Sequence, residues 1–148
     1  MASGFYEIKQ GCRERFLETN EIFTFLHSVK EHFVEYSNMF PNEFVTTDFS
    51  AVSRPEPGTF FVLESSNFKM FRKLDQYTYQ TKSTQKKLDL NGKTVIGGYY
   101  TQGDGKTSTK DAENLVTPLS LSRRAYRLIQ FPKHILVHYF DTAAQGMP

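Results

Sequence analysis

The sequence predicts an α+β fold in which an N-terminal amphipathic helix packs on a five- to six-stranded antiparallel or mixed sheet. Three observations lead to this prediction. Apolar residues recur with a helical period over 22–33, β-branched and aromatic runs follow from residue 59 onward, and 148 residues suffice for one ordinary core. We therefore expect a single domain over 1–148, with its core in about 13–142, a flexible loop at 103–120 and a frayed tail at 143–148.

The predicted helix begins at Thr19, whose hydroxyl is a favourable N-cap, and ends near Tyr36, before a polar Ser-Asn pair. Its apolar stripe has the spacing i, i+3, i+4, i+7 and i+11 and consists of Ile22, Phe25, Leu26, Val29 and Phe33. Because such a stripe must be covered, we expect it to close one face of the sheet. The predicted buried core is Phe25, Leu26, Val29, Phe60, Val62, Ile135 and Val137.

The rest of the chain predicts loops and strands. Prolines punctuate residues 37–58, which we expect to be mostly loop. Strand-forming segments follow at 59–63, 68–74, 77–81, 86–90, 94–101, 124–129 and 135–140, the first two as a hairpin. Asn91-Gly92 predicts a two-residue hairpin turn, and Gly97-Gly98 indicates a bulge or a close backbone approach within a strand.

Composition excludes several classes of protein. Hydrophobic residues at 39% and charged residues at 23% are typical of a globular domain and not of a disordered chain. The single cysteine, Cys12, excludes a disulfide framework and a cysteine-based zinc finger. The sequence has neither a long apolar run nor the apolar core of a signal peptide, so we expect a soluble intracellular protein without a membrane partner.

Motifs for catalysis, cofactors and metals are weak. Gly105-Lys106-Thr107 resembles the end of a phosphate-binding loop, but the required earlier glycine is replaced by Tyr100. His134 and His138 share a predicted strand face without a third ligand nearby in the sequence. Cys12 has no neighbouring base, and the acids Asp111 and Glu113 fall in the predicted loop. We expect no catalytic residue, no metal, no cofactor and no small-molecule substrate.

Charge is unevenly distributed along the chain. Residues 1–67 contain five Lys/Arg and ten Asp/Glu, whereas residues 68–148 contain thirteen and six, within a net charge of +2. If the two halves fold onto different faces, the second face attracts polyanions; scattered solvated lysines are the alternative. Basic residues of the second half alternate with aromatic ones, as a nucleic-acid surface requires. The candidate nucleic-acid-binding residues are Lys69, Arg72, Lys73, Tyr77, Lys82, Lys86, Lys87, Arg123 and Arg124.

Six segments in order resemble one known domain: 15–22, 57–63, 71–73, 98–104, 123–126 and 134–139. Together they resemble the CG-1 domain, the DNA-binding domain of the calmodulin-binding transcription activators, over about 13–142. The resemblance implies sequence-specific binding of a CGCG-type element by a transcription regulator in the nucleus, and no enzymatic activity. It implies no calmodulin binding by this chain, because the regions that bind calmodulin in full-length relatives are absent from it.

This chain departs from the family in three ways. Tryptophans common in relatives are replaced by Phe16, Tyr77 and Arg127, the basic run after Tyr77 is diluted over 80–87, and the loop at 103–120 is longer. The lysines are expected to contact phosphates, and one or more of Arg72, Arg123 and Arg124 to read base edges. The alternatives are a protein-interaction module that keeps the fold without DNA contact, and a single-stranded RNA binder that stacks bases on Tyr77, Tyr79 and Tyr99.

Overall fold

A computed structural model describes residues 2–46, 54–106 and 115–143. Within them it contains α1 (Ala2–Glu14), α2 (Thr19–Met39), β1 (Thr59–Glu64), α3 (Ser65–Leu74), β2 (Thr84–Leu90), β3 (Lys93–Gln102), β4 (Leu121–Leu128) and β5 (His134–Asp141). The predicted α+β class is confirmed. The centre of the predicted loop (107–114), most of the predicted tail (144–148) and part of the earlier loop (47–53) lie outside the described residues.

The five strands form one antiparallel sheet in the order β1-β5-β4-β3-β2. β1 and β2 therefore run parallel to each other at opposite edges. The helix that connects them, α3, crosses one face of the sheet, whereas α1 and α2 contact the strands from the opposite face. This division gives the sheet a face covered by two helices and a face covered only partly by one.

The larger core lies between the sheet and the helix pair α1–α2. Its rings are in direct contact: Phe5 stacks on Phe40 with centroids 3.6 Å apart, and Phe25 meets Phe60 edge-on at 5.9 Å. The seven predicted core residues are all buried. However, only the five from α2 and β1 lie under the helix pair, because Ile135 and Val137 face a second, smaller core with Phe71 of α3.

Helix α2 begins at the predicted residue but with a different cap. Glu18 occupies the N-cap position, and its side chain and that of Glu21 form a capping box across the first turn. Arg15 also donates two hydrogen bonds to Glu21, at 2.7 and 2.9 Å, and this lowers the pKa of that carboxyl. The prediction that Thr19 is the N-cap is therefore wrong, because Thr19 is the first helical residue.

The predicted strand 68–74 is also wrong, because these residues form most of α3. The two phenylalanines of this segment lie three apart, so they share one face of a helix and would point to opposite faces of a strand. Ser65-Ser66-Asn67, which lies between the two strands of the predicted hairpin, forms the first helical turn after Glu64. Phe71 points into the smaller core, which anchors the helix on the sheet.

The predicted strand 77–81 reduces to one isolated bridge, between Tyr79 and Gly103. Gln76 has a φ of 66°, so the chain leaves α3 through a left-handed residue before this segment.

The predicted hairpin turn between β2 and β3 is confirmed. Asn91 and Gly92 have φ values of 53° and 79°, as a two-residue turn between twisted strands requires.

Acidic and basic residues are concentrated in different elements of the fold. Exposed carboxylates of the acidic half lie on α1, α2 and the turn between them, including Glu7, Glu14, Glu18, Glu31 and Glu35. The basic half, residues 68–148, supplies most of α3 and strands β2 to β5. No described helix combines the length and the apolar character needed to cross a membrane.

Candidate nucleic-acid interface

A groove with a volume of about 710 Å³ lies between α3 and the partly covered face of the sheet. We call it the basic groove; it is lined by Ser65, Phe68, Lys69, Arg72, Gln85, Lys86, Lys87, Gly97, Gly98, Tyr99, Ala125, Tyr126, Arg127, Ile129 and Ile135. The groove exists because α3 spans only part of the sheet. Its outer half, over β2 and β3, has no helix above it within the described residues.

One wall of the basic groove is a single face of α3. Ser65, Phe68, Lys69 and Arg72 follow the spacing i, i+3, i+4 and i+7, so they share that face. The guanidinium of Arg72 lies 5.5 Å from the ring centroids of both Phe68 and Tyr99. Aromatic faces attract a cation electrostatically, so the two rings hold Arg72 over the groove.

The floor of the basic groove is a row of residues across three strands. Gly97 on β3 pairs with Lys87 on β2 and with Arg127 on β4. Directly paired residues point to the same face of a sheet, so both cations stand on the groove side with the glycine between them. Both side chains are exposed.

The five cations that line the groove lack an acidic partner. None of them makes an ion pair with a carboxylate in the described part of the chain; they are Lys69, Arg72, Lys86, Lys87 and Arg127. Cations in a concave surface without neighbouring acids produce a positive potential that concentrates anions. The groove is therefore suited to a polyanion, and the acidic helices lie on the other face of the sheet.

A buried polar cluster fixes α3 to the sheet beside the groove. The Oδ2 atom of Asp75, directly after α3, accepts hydrogen bonds from Arg123 at 2.8 Å, Tyr79 at 2.7 Å and Tyr139 at 2.8 Å. Its Oδ1 atom accepts from the backbone amide of Tyr77 at 3.1 Å. Burial raises the pKa of Tyr79 and of Tyr139, so both hydroxyls stay protonated donors.

This cluster corrects the expectation for Arg123 as a base-reading residue. Its side chain is buried, its guanidinium is paired with Asp75, and it lies 4.2 Å from the ring centroid of Tyr79. A paired and buried guanidinium is not presented to a ligand at the surface. Arg123 instead connects β4 to the end of α3.

Two other predicted residues lie toward the helix-pair face. Arg124 is sandwiched between rings, 3.5 Å from the centroid of Phe16 and 4.3 Å from that of Tyr100. Lys86 is paired with Gly98, whose missing Cβ would lie 3.5 Å from the Cβ of Lys86 on that face. Lys86 also forms part of the groove wall. Of the predicted arginines, only Arg72 points into the groove.

The remaining predicted residues lie around the groove. Lys73 is exposed in the last turn of α3, and Lys82 is exposed just before β2. Tyr77 is half-buried, donates its hydroxyl hydrogen to the carbonyl of Pro55 and has the guanidinium of Arg54 4.4 Å from its ring centroid. The ring of Tyr77 is therefore already in contact with the guanidinium of Arg54.

The sequence-based prediction missed Arg127 and Gly97. Arg127 flanks Tyr126 in the pattern of basic and aromatic residues and replaces a tryptophan of relatives, but it is not among the predicted DNA-binding residues; the glycines are predicted only as a bulge or close approach. The bulge of this hairpin is at Val95 of β3, which is the extra residue opposite the step from Leu88 to Asp89 on β2, and not at the two glycines. A residue-by-residue register of β2, β3 and β4 would have placed both residues on the face of Lys87.

The buried histidines and Cys12 do not form a reactive site. No group that could hold a metal ion occurs among the described residues. His138 is hydrogen-bonded through Nε2 to the carbonyl of Cys12 at 2.8 Å, and burial lowers its pKa to about 4. Burial also raises the pKa of the Cys12 thiol, which keeps it protonated and unreactive.

A family model of the CG-1 domain matches residues 11–142, which include α2, α3 and all five strands. This chain belongs to the CG-1 family. CG-1 is a family of DNA-binding domains of transcription regulators and not a family of enzymes. A search of curated proteins found no match to the chain.

Proposed function

We propose that this CG-1 domain recognises a CGCG-type element in double-stranded DNA through the basic groove, as the DNA-binding part of a transcription regulator in the nucleus. The observation that carries the proposal is the set of five groove cations without acidic partners. Acids on the opposite layer repel DNA from that side and orient the domain with its groove toward the duplex.

The cations differ in the contacts they favour. Lysine is a flexible point charge, so Lys69, Lys73, Lys82, Lys86 and Lys87 are proposed to contact phosphates. Arginine can donate two parallel hydrogen bonds to the O6 and N7 atoms of guanine. Arg72 is the proposed base-reading residue, because two aromatic rings orient its guanidinium in the groove.

Fluorescence anisotropy with labelled CGCG duplex, scrambled duplex and single strand tests this proposal. We expect the tightest binding to the CGCG duplex and an affinity that decreases with salt. Arg72→Ala should cost about 1–3 kcal/mol on the CGCG duplex and much less on the scrambled one. Arg13→Ala removes an exposed arginine from α1 and should change neither affinity.

A second candidate function is a protein-interaction module that keeps the CG-1 fold. Met70 and Leu74 of α3 are exposed apolar side chains next to the groove, as a protein-binding surface requires. The same assay decides between the two functions. If the wild-type domain binds CGCG duplex no better than scrambled duplex at low salt, the interaction module replaces sequence-specific DNA binding.

A further inference from the structure

Gly97 has no structural reason to be glycine. Its φ is not in the left-handed region, in contrast to Gly58, Gly92 and Gly105. A Cβ built on it would meet no atom within 4 Å. A glycine inside a strand destabilises it, because its backbone loses more conformational freedom on folding and it has no side chain to pack. Neither backbone geometry nor crowding inside the domain therefore requires a glycine at this position.

The neighbouring Gly98 differs in this respect. A Cβ on Gly98 would lie 2.9 Å from Cε1 of Tyr100, on the face covered by α1 and α2. Crowding within the domain thus accounts for Gly98. The space above Gly97 opens into the basic groove instead, and no part of the described chain fills it.

Two cations flank this space. Lys87 and Arg127 are the direct partners of Gly97 on the two neighbouring strands. Strands in a sheet are about 4.8 Å apart, so the backbones of these two residues are separated by about 10 Å with only a glycine between them. Both side chains are long enough to bend over the glycine from either side, and neither is paired with a carboxylate among the described residues.

We propose that the gap above Gly97 is the seat of one DNA backbone phosphate, held between Lys87 and Arg127. This inference rests on the proposed function and names the contact made at the centre of the groove. A phosphate is favoured over a base edge because lysine is a flexible point charge without the planar fork of arginine, and cations on both sides of the gap suit a single anion. The absence of a side chain at Gly97 lets the phosphate approach the floor of the sheet, where both cations donate to it.

The test enlarges residue 97 and leaves both cations in place. Gly97→Leu fills the gap, Gly97→Ala fills it slightly, and Gly4→Leu adds the same side chain at an exposed position of α1 where a Cβ also meets nothing within 4 Å. Thermal unfolding confirms that each variant is folded. Gly97→Leu is expected to weaken CGCG and scrambled duplexes alike by about tenfold or more, with a smaller loss for Gly97→Ala and none for Gly4→Leu.

A scan of the duplex locates the phosphate itself. Single phosphates are replaced in turn by neutral methylphosphonates, and each duplex is titrated with wild-type protein and with Gly97→Leu. One replacement should weaken wild-type binding and lower the slope of log affinity against log salt by about 1, with no further effect on Gly97→Leu.

The possible outcomes separate the two proposals. Wild-type protein that shows no preference for CGCG duplex overturns the proposed function. If wild-type protein binds CGCG duplex and Gly97→Leu binds within twofold of it, or if every methylphosphonate affects both proteins equally, the phosphate seat is wrong and the proposed function stands.

Discussion

The guanidinium of Arg123 lies 2.8 Å from the carboxylate of Asp75, and the two residues are only 4% and 2% exposed. They are 48 positions apart in the sequence and join the strand β4 to the end of α3. Because α3 forms one wall of the basic groove, this ion pair determines where that wall stands.

Arg123 and Arg127 should give opposite results when truncated. Arg123→Ala leaves the carboxylate of Asp75 buried without its cation and should cost about 3–5 kcal/mol of stability in denaturant unfolding. Arg127→Ala, at an exposed position of the same strand, should change stability by less than about 0.5 kcal/mol and weaken duplex binding. An Arg123→Ala domain with the wild-type unfolding midpoint would contradict this assignment.

Adjacent lysines on β2 should contribute unequally to DNA binding. Lys87 stands on the groove side beside Gly97, whereas Lys86 is paired with Gly98 toward the other face. Lys87→Ala should weaken all duplexes and lower the slope of log affinity against log salt by about 1, and Lys86→Ala should have a smaller effect. Salt titrations of the two single variants measure the difference. Equal slopes would show that the face of β2 on which a lysine stands does not affect its contribution to DNA binding.

Phe25 should be essential for stability. It is buried under β1 and contacts the rings of Phe44 and Phe60. Phe25→Ala should therefore cost about 3–5 kcal/mol, through lost burial and the cavity left behind. Val34→Ala, at a position of α2 that is 70% exposed, provides the control. A loss below about 1 kcal/mol for Phe25→Ala in denaturant unfolding would show that α2 is peripheral.

His138 should make the domain less stable in acid. Burial lowers its pKa from 6.5 to about 4. Between these values the unfolded chain binds a proton that the folded domain does not, so stability decreases as the pH falls from 6.5 to 4, by up to about 3 kcal/mol. His138→Gln keeps a donor for the carbonyl of Cys12 but cannot titrate.

The comparison isolates the histidine, because carboxylates and His134, whose pKa burial also lowers, titrate in both proteins. Unfolding midpoints measured across this pH range should therefore fall more steeply for wild type than for His138→Gln. Parallel curves would show that His138 is protonated equally in the folded and unfolded chains.

Local patterns in the sequence predicted the elements that depend on local interactions. The stripe from Ile22 to Phe33 identified α2, and Asn91-Gly92 identified the hairpin, because helical period and turn geometry are both set by near neighbours. The segment 68–74 is predicted as a strand because it follows 59–63 after a short polar run, as the second strand of a hairpin would. The contact of Phe71 with the smaller core, three residues after Phe68, instead shows the helical period.

The candidate interface depended on long-range contacts and was predicted only in part. Lys69, Arg72 and Lys87 were found by charge and lie in the groove. Arg123 looked equivalent to them, because nothing in the sequence near β4 indicates that Asp75 will meet it. Gly97 carries no charge at all, so its position between two cations appears only once the strand register is known.

Strand β2 ends the sheet, and its outer backbone groups have no neighbouring strand in the described chain. An open edge of this kind can pair with the edge of another molecule and start aggregation. Lys86 and Lys87 lie in the middle of β2 and would place like charges against like charges in such a contact between two copies. The charges that suit this strand to a polyanion therefore also discourage two copies of the domain from joining edge to edge.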